Sequence, residues 1–298
     1  MPPFRALLRS VIAGMLMGTA EVIPGVSGGT MALIAGVYEA LVGALSSLVS
    51  FGLALLRLDW TAARRHWTEV PWGLLLPLLV GMAGMVILGA RLIPGLLEAY
   101  PARMRGLFFG LVGASLFIPA LRIEHLTAPR FLLGLACAGL AFAFTGLPMF
   151  EVADPGLLHI FCSAAVAICA MILPGVSGAF LLEALGVYTP TLHALNTFEV
   201  SYVLTFGAGA AVGLGAFAKL LDWLLAHHHD ATMAALVGLI AGALRALWPY
   251  VEGTALRLPA PGEPVGSVAG LAVLGFAAVL GLLWWGRRTT AAPSHAPN

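Results

Sequence analysis

The chain has 298 residues, of which 60% are hydrophobic and only 10% are charged. A soluble domain carries about 25% charged residues, so this composition excludes an ordinary soluble protein and predicts a membrane protein. The net charge of +1 offers no basic surface for nucleic acid, and the three cysteines lie in apolar runs that predict no disulfide.

Long apolar runs follow one another through the chain, and a membrane-spanning helix needs about 20 such residues. They predict an all-α, polytopic membrane protein in which residues 1–288 form a single transmembrane domain and residues 289–298 a disordered tail. The predicted helical arms and spans are 7–23, 28–56, 72–93, 106–120, 131–148, 157–173, 177–188, 201–221, 232–248 and 265–285, with a polar loop at 57–69.

The first apolar run is interrupted by the sequence Pro24-Gly25-Val26-Ser27-Gly28-Gly29-Thr30. Proline cannot continue a helix, and the glycines tolerate backbone angles that other residues avoid. One helix therefore ends near Ile23. A second helix starts near Ser27 or Gly28, and Ser27 or Thr30 is available as its N-cap.

The same pattern returns 150 residues later as Pro174-Gly175-Val176-Ser177-Gly178. Paired Gly and Pro interruptions in two halves of a membrane protein indicate a transporter's binding site. Because helix starts attract anions, we expect the two breaks to meet and to hold one anionic headgroup. The expected phosphate-binding residues are Gly25, Ser27, Gly28, Gly29, Thr30, Gly175, Ser177 and Gly178.

The two broken elements are predicted to be re-entrant helix pairs that enter the membrane from opposite faces. Three predicted spans separate them, and three is an odd number. With the N-terminus inside, ten basic residues fall on the cytoplasmic side and three outside, as the positive-inside rule requires. The prediction is an inverted-topology repeat, with repeat 1 at about 1–125 and repeat 2 at about 126–288.

A few charged residues lie within or beside the apolar runs. Glu21 and Glu183 are candidates for proton coupling or gating, because intramembrane carboxylates are rare and usually functional. A neutral or paired structural carboxyl is the alternative. Arg245 is the best candidate for a phosphate-binding arginine, and an interfacial arginine is its alternative. We predict no catalytic residue and no metal site, since the run His227-His228-His229 lacks further ligands.

The stretch from Gly14 to Thr30, followed by Gly36-Val37-Tyr38-Glu39, resembles the signature of the bacterial and archaeal polyprenyl-phosphate transporter family. The second break and the segment 238–249 are similar to other blocks of that family. The resemblance implies a flippase of the cell (inner) membrane that returns undecaprenyl phosphate from the outer to the cytoplasmic leaflet for recycling. It implies polyprenyl phosphate and the membrane as partners, with no cofactor and no nucleic acid.

Two other functions are left open by the sequence. An ion-coupled transporter of a small soluble anion would use the same broken helices. A membrane lipid phosphatase would need a nucleophile with a base, or a metal site, and no histidine stands beside Ser27 or Ser177 in the sequence. We therefore predict a transporter and not an enzyme. The coupling ion and a homo-oligomeric state are also left open.

Overall fold

A computed structural model describes residues 4–21, 27–147, 151–174, 177–252 and 255–290. Two of the predicted phosphate-binding residues, Gly25 and Gly175, lie outside these ranges. The predicted tail also lies outside them, except that the last helix extends through Thr290.

The described residues form α-helices, one short 3-10 helix and one pair of two-residue strands. In chain order they are α1 (Phe4–Glu21), α2 (Gly28–Ile34), α3 (Tyr38–Leu56), α4 (Trp60–Glu69), α5 (Trp72–Ala99), α6 (Pro101–Ser115), α7 (Phe117–Ala120), α8 (Ala128–Phe144), α9 (Leu157–Ile172), α10 (Gly178–Ala184), α11 (Tyr188–Asn196), α12 (Val200–His227), α13 (His229–Ala243), η1 (Leu244–Leu247), β1 (Val251–Glu252), β2 (Ala255–Leu256) and α14 (Val265–Thr290).

The helices that follow the two breaks begin where the sequence predicts. Ser27 caps α2 and Ser177 caps α10. The arm predicted at 28–56 is not continuous, however, and consists of α2 and α3, while the arm predicted at 177–188 contains α10 and ends where α11 begins. Gly36 and Gly186 adopt positive φ angles of 69° and 74°, and such left-handed glycines end helices.

The predicted polar loop at 57–69 is largely the helix α4. The Asp59 carboxylate caps it by accepting hydrogen bonds from the Ala62 N–H at 3.0 Å and the Thr61 hydroxyl at 2.7 Å. Trp60, Ala63 and Trp67 stand at the spacing of one helix face, but the segment is only ten residues long and rich in charge, so hydropathy alone predicts a loop. The short hairpin of β1 and β2 is likewise absent from the predicted elements.

The two halves of the chain contain the same order of elements. Helices α5 and α12 have bounds that differ by 128 residues, as do α6 and α13, while α2 and α10 differ by 150. Contacts repeat as well: a Cβ at Gly81 would overlap the Val11 carbonyl oxygen, and a Cβ at Gly209 would overlap that of Phe161. The repeat is therefore present in the structure, whereas its inverted orientation in the membrane stays a prediction.

In each half the first helix packs closely against a later helix that runs parallel to it. A Cβ at Gly14 would overlap the carbonyl oxygen of Leu78, and one at Gly18 that of Met82. Both contacts advance along α1 and α5 in the same direction, so these helices run parallel. Helices α9 and α12 pack in the corresponding way.

The last helix of each half packs against the other half. Helix α8 packs along α13, and α14 packs along α6. The order of elements makes α8 the counterpart of α14, which favours a repeat boundary between 144 and 157 rather than near 125. Neither boundary is tested, and both stay predictions.

Four helices among the described residues are long and apolar enough to cross a membrane. Helices α8 and α9 and the described part of α14 are apolar but shorter. The main core joins the halves, since buried residues of α2 and α3 pack with those of α13. The fold is an all-α, polytopic membrane protein, as predicted. The four long apolar segments are Tyr38–Leu56, Trp72–Gly89, Val200–His227 and His229–Leu247.

Candidate functional site

The two helix breaks meet in the structure. The Ser27 hydroxyl, at the start of α2, donates a hydrogen bond of 3.0 Å to the carbonyl oxygen of Leu173, at the end of α9. Gly29 lies so close to the same segment that a Cβ there would overlap the Ile172 carbonyl oxygen. The start of α2 therefore contacts the end of α9, just before the second break, while the predicted meeting of the starts of α2 and α10 stays a prediction.

The two break serines act as helix caps. The Ser27 oxygen accepts a hydrogen bond of 3.2 Å from the Gly29 N–H, and the Ser177 oxygen accepts one of 3.4 Å from the Phe180 N–H. Ser27 has already donated its one hydroxyl proton to Leu173, so its side chain has no second proton to offer an anion. Thr30, in the first turn of α2, is fully buried. At the start of α2 the N–H groups of Gly29 and Thr30 already donate to the side-chain and carbonyl oxygens of Ser27, so the Gly28 N–H is the backbone donor best placed for an anion.

Glu21 lies against the start of α2. Its carboxyl accepts a hydrogen bond from the Gly28 backbone N–H, and a Cβ at Gly28 would overlap the Glu21 Oε1 atom. An anion at the start of a helix is stabilised by the helix dipole. In this structure a carboxyl of the protein itself occupies the helix start that the sequence predicts as a phosphate site.

The second break has a thioether where the first has a carboxylate. A Cβ at Gly178 would overlap the Cγ atom of Met171, just as one at Gly28 would overlap Glu21. Met171 and Glu21 stand 150 residues apart, which is also the offset between the two glycines. The two halves therefore differ at this position, with an acid, Glu21, in the first half and Met171 in the second.

Glu183, the second carboxylate that the sequence singles out, lies near the C-terminal end of α10. The helix begins five residues earlier, which at 1.5 Å per residue places Glu183 roughly 7 to 8 Å along the axis from the helix start. Its side chain is half-buried. The structure thus separates Glu183 from the start of α10, and its part in proton coupling stays a prediction.

Arg245, on η1, is held by the C-terminal end of α8. Its Nη1 donates a hydrogen bond of 3.1 Å to the Phe142 carbonyl oxygen, and its guanidinium carbon lies 4.6 Å from the centre of the Phe142 ring. A Cβ at Gly146 would overlap the guanidinium group. We call Phe142 and Gly146 the arginine clamp. The sequence offers no signal for it, because α8 and η1 are about 100 residues apart.

The arginine clamp adjoins the second break through one aromatic contact. The rings of Phe144, on α8, and Phe180, on α10, lie 5.4 Å apart in an edge-to-face arrangement. The Phe180 N–H is the group that Ser177 caps. At the offset of 128, the first half has Phe117 where the second has Arg245, so the arginine too belongs to one half.

One ion pair joins α3 to the segment before α8, and another joins α8 to the start of α13. Arg122 pairs with Glu39, and Arg130 pairs with Asp230 at 2.7 Å. The Asp230 carboxylate also accepts backbone hydrogen bonds from Glu124 and His125 at 3.1 and 3.2 Å. The sequence does not predict these pairs, because their members come from distant parts of the chain.

A cavity of about 510 Å³ opens beside the N-terminal ends of α9, α11 and α12. Its lining is acidic and includes Glu151, Asp154 and Glu199, together with His193 and Tyr202. Negative charge repels a phosphate, so this cavity is a poor phosphate site. Across the described ranges no group of three His, Cys, Asp or Glu side chains is arranged to hold a metal ion.

Comparisons with known proteins agree on one family. The family model described as undecaprenyl phosphate translocase-like matches residues 17–265. A Vibrio cholerae protein named polyprenyl-phosphate transporter is 36% identical over 263 residues, which cover 87% of this chain and 83% of the relative. A Staphylococcus aureus protein of the same name is 26% identical over 258 residues, covering 80% of this chain and 86% of the relative. No solved structure matches the chain.

Proposed function

This chain belongs to the undecaprenyl phosphate translocase-like family, and we propose that it is a flippase that moves polyprenyl phosphate between membrane leaflets. It is a transporter and not an enzyme, as the family and its named relatives indicate. The observation that carries the proposal beyond the family is the hydrogen bond between Ser27 and Leu173, which brings the two helix breaks together.

The physical demands of the substrate support this arrangement. The polyprenyl tail can remain among the lipid acyl chains, while the phosphate needs polar groups along its path. Interrupted helices supply backbone N–H groups inside an otherwise apolar protein. We propose that the phosphate binds at the starts of α2 and α10, where the predicted ligands are Gly25, Ser27, Gly28, Gly29, Thr30, Gly175, Ser177 and Gly178.

Glu21 supplies a coupling step in this proposal. Its carboxyl is hydrogen-bonded to the Gly28 N–H, a group that the incoming phosphate also requires. Two anions at one helix start repel each other, so phosphate binding favours displacement of the carboxylate or its protonation. A proton taken up by Glu21 as phosphate binds, and released as phosphate leaves, would couple transport to a proton gradient. Glu183 remains a second candidate for this role.

Arg245 is proposed to receive the phosphate before it reaches the breaks. A guanidinium matches the geometry of a phosphate, and the arginine clamp fixes its position next to α10. Since the first half has Phe117 at the equivalent position, capture by arginine would occur on one side only. With the predicted inverted repeat, that side is the outer one, and the proposed direction is from the outer to the cytoplasmic leaflet of the inner membrane.

The test is a leaflet-resolved transport assay in proteoliposomes that carry polyprenyl phosphate in both leaflets. The wild-type protein is expected to make the lipid of one leaflet accessible from the other. Arg245→Ala should reduce the rate, because the phosphate loses its charged partner. Glu21→Gln should remove the dependence of the rate on pH while the protein still folds. Unchanged rates for both variants would contradict the site.

Two controls separate this function from its alternatives. Polyprenyl alcohol, which lacks the phosphate, should not be moved. Uptake of inorganic phosphate at a rate similar to that of the lipid would instead favour a transporter of a soluble anion. Release of inorganic phosphate from the lipid by the purified protein would favour a phosphatase.

A further inference from the structure

Helix α4 is an insertion in the first half of the internal repeat. Fifteen residues, 57–71, separate α3 from α5, whereas three residues, 197–199, separate the equivalent helices α11 and α12. The second half therefore closes the same connection without a helix. Whatever α4 does is needed on one end of the molecule only.

The contacts of α4 fix it against the bundle. Ala63 is its one buried residue within the described ranges and lies against α3. The Trp67 ring lies 5.0 Å from that of Phe51 and 4.4 Å from that of Trp72. The Trp72 indole also donates a hydrogen bond of 3.1 Å to the Trp67 carbonyl oxygen. The remaining face of the helix is presented outward in a fixed orientation.

The residues that lead into α4 expose large apolar side chains. Leu56, Leu58 and Trp60 are 83%, 74% and 71% exposed. They follow directly on α3 and precede α5, both of which are long and apolar enough to span a membrane. Tryptophans placed beside spanning segments are typical of the boundary between lipid and water.

Leu58 adopts a left-handed backbone conformation, with φ at 56°, and Phe198 adopts the same conformation at the equivalent turn of the second half. Glycine is the usual residue in this place, and a bulky residue there costs free energy. Both side chains are also highly exposed. A strained apolar residue turned outward at each connection is best explained by contact with lipid acyl chains.

The acidic groups around α4 are engaged within the helix. The Ala62 N–H and then the Thr61 hydroxyl hydrogen-bond the Asp59 carboxylate and hold its pKa below the ordinary value. Glu69 lies 2.8 Å from His66 and 3.6 Å from Arg65. Arg57 and Arg64 are exposed, and the part of the chain that the structure describes provides no ion pair for either. Their charge is therefore available to an outside anion.

We propose that α4 and the turn before it form an interfacial surface that binds anionic phospholipid headgroups. Leu56, Leu58 and Trp60 lie at the acyl boundary, and Arg57 and Arg64 bind the lipid phosphates. The bilayer is the partner that fits, because the surface combines exposed apolar side chains with free arginines and is continuous with two spanning helices. This surface is separate from the helix breaks and would act whether or not they carry the substrate.

The experiment titrates phosphatidylglycerol into the purified full-length protein in a neutral detergent and follows thermal unfolding. Phosphatidylglycerol should stabilise the wild type more than phosphatidylcholine does. The double variant Arg57→Gln/Arg64→Gln should weaken the apparent affinity about 25-fold, since each basic residue near an anionic surface contributes about fivefold. The matched control is the double variant Arg91→Gln/Arg105→Gln, which makes the same replacement on α5 and α6. It should change the apparent affinity for phosphatidylglycerol less than about twofold.

Three results would overturn the proposal. The Arg57/Arg64 double variant keeps the wild-type affinity for phosphatidylglycerol, both double variants lose that affinity equally, or phosphatidylglycerol and phosphatidylcholine stabilise the wild type equally. A second measurement needs no charge change. In nanodiscs containing brominated lipid, Trp60→Phe should lower the quenched fraction of tryptophan fluorescence more than Trp248→Phe, because Trp248 is partly buried and hydrogen-bonded to the Arg257 carbonyl oxygen. Equal quenching in the two variants would contradict the interfacial position of Trp60.

Discussion

Ser27 and Leu173 are 146 residues apart in the chain and are joined by a hydrogen bond of 3.0 Å from the serine hydroxyl to the leucine carbonyl oxygen. Each stands at an interruption of an apolar helix, one in each half of the repeat. This hydrogen bond holds the start of α2 beside the end of α9, so that polar backbone groups from both halves lie in one region. A carboxyl, Glu21, already occupies part of that region through the Gly28 N–H.

Replacing Ser27 by alanine tests how much this junction stabilises the fold. The variant loses an N-cap, at about 1 kcal/mol, and leaves the half-buried Leu173 carbonyl without its partner, at about 1 to 3 kcal/mol. We expect a loss of about 2 to 4 kcal/mol of unfolding free energy, measured by denaturant titration in detergent.

Ser177→Ala is the matched control for that substitution. Ser177 caps α10 through a longer contact of 3.4 Å than the 3.2 Å contact by which Ser27 caps α2. Its loss should cost about 1 kcal/mol or less. Equal losses for the two serines would show that the bond between the breaks does not contribute.

Gly146→Ala tests the arginine clamp. The added methyl group would overlap the Arg245 guanidinium, which would have to leave the Phe142 carbonyl oxygen. Loss of a charge-assisted contact to the substrate corresponds to about 1.5 to 3 kcal/mol, or roughly 10- to 100-fold in the apparent KM for polyprenyl phosphate. The maximal transport rate should change less than KM.

Gly139→Ala provides the comparison, seven residues earlier on α8. A Cβ at Gly139 meets no atom within 4 Å, so the substitution should leave KM unchanged. If Gly146→Ala also left KM unchanged, Arg245 would either not bind the phosphate or not depend on the clamp.

Sequence patterns predict the features of this protein that depend on short stretches of chain. Pro24 and the glycines that follow it stop a helix, and Ser27 starts the next one, whatever the tertiary structure. The helix α4 is missed because it is short and highly charged, so its hydropathy resembles that of a loop although Trp60, Ala63 and Trp67 share one face. The Gly36 and Gly186 turns are missed because glycines are frequent throughout the apolar runs.

Contacts between distant residues could not be predicted in the same way. The sequence places Glu21 near the first break but not on the Gly28 N–H, since that contact depends on how the chain returns after the break. It selects Arg245 as a phosphate ligand without its clamp, because hydropathy does not reveal that α8 packs on α13. The offset of 128 residues indicates the repeat, yet not that α8 and α14 each pack against the other half.

The ion pair between Arg122 and Glu39 should be measurable by a double-mutant cycle. Arg122→Glu alone places two acids together and should destabilise the protein by about 1 kcal/mol, since exposed pairs contribute between 0 and 1 kcal/mol. Adding Glu39→Arg reverses the pair and should recover most of the loss. If the double variant were as unstable as the sum of the two single ones, the pair would not contribute.

The Arg257–Glu263 pair makes a pH-dependent contribution to the connection before α14. Its hydrogen bond from Arg257 lowers the pKa of Glu263 from 4.5 to about 2. A carboxyl with a depressed pKa stabilises the folded state above its ordinary pKa and loses that effect as the pH falls through the lower value. Hydrogen-exchange protection around residues 257–263 should therefore be constant from pH 7 to about 4.5 and decline toward pH 2. Glu263→Gln should lower protection at neutral pH and flatten this dependence.

The central claim is that polyprenyl phosphate binds at the helix start where the Glu21 carboxyl lies. The direct measurement is an experimental structure of the wild-type protein with a bound polyprenyl phosphate. We predict the phosphate within hydrogen-bonding distance of the Gly28 N–H group, with the Glu21 carboxyl displaced from it. A phosphate bound elsewhere, with Glu21 still hydrogen-bonded to Gly28, would contradict the claim.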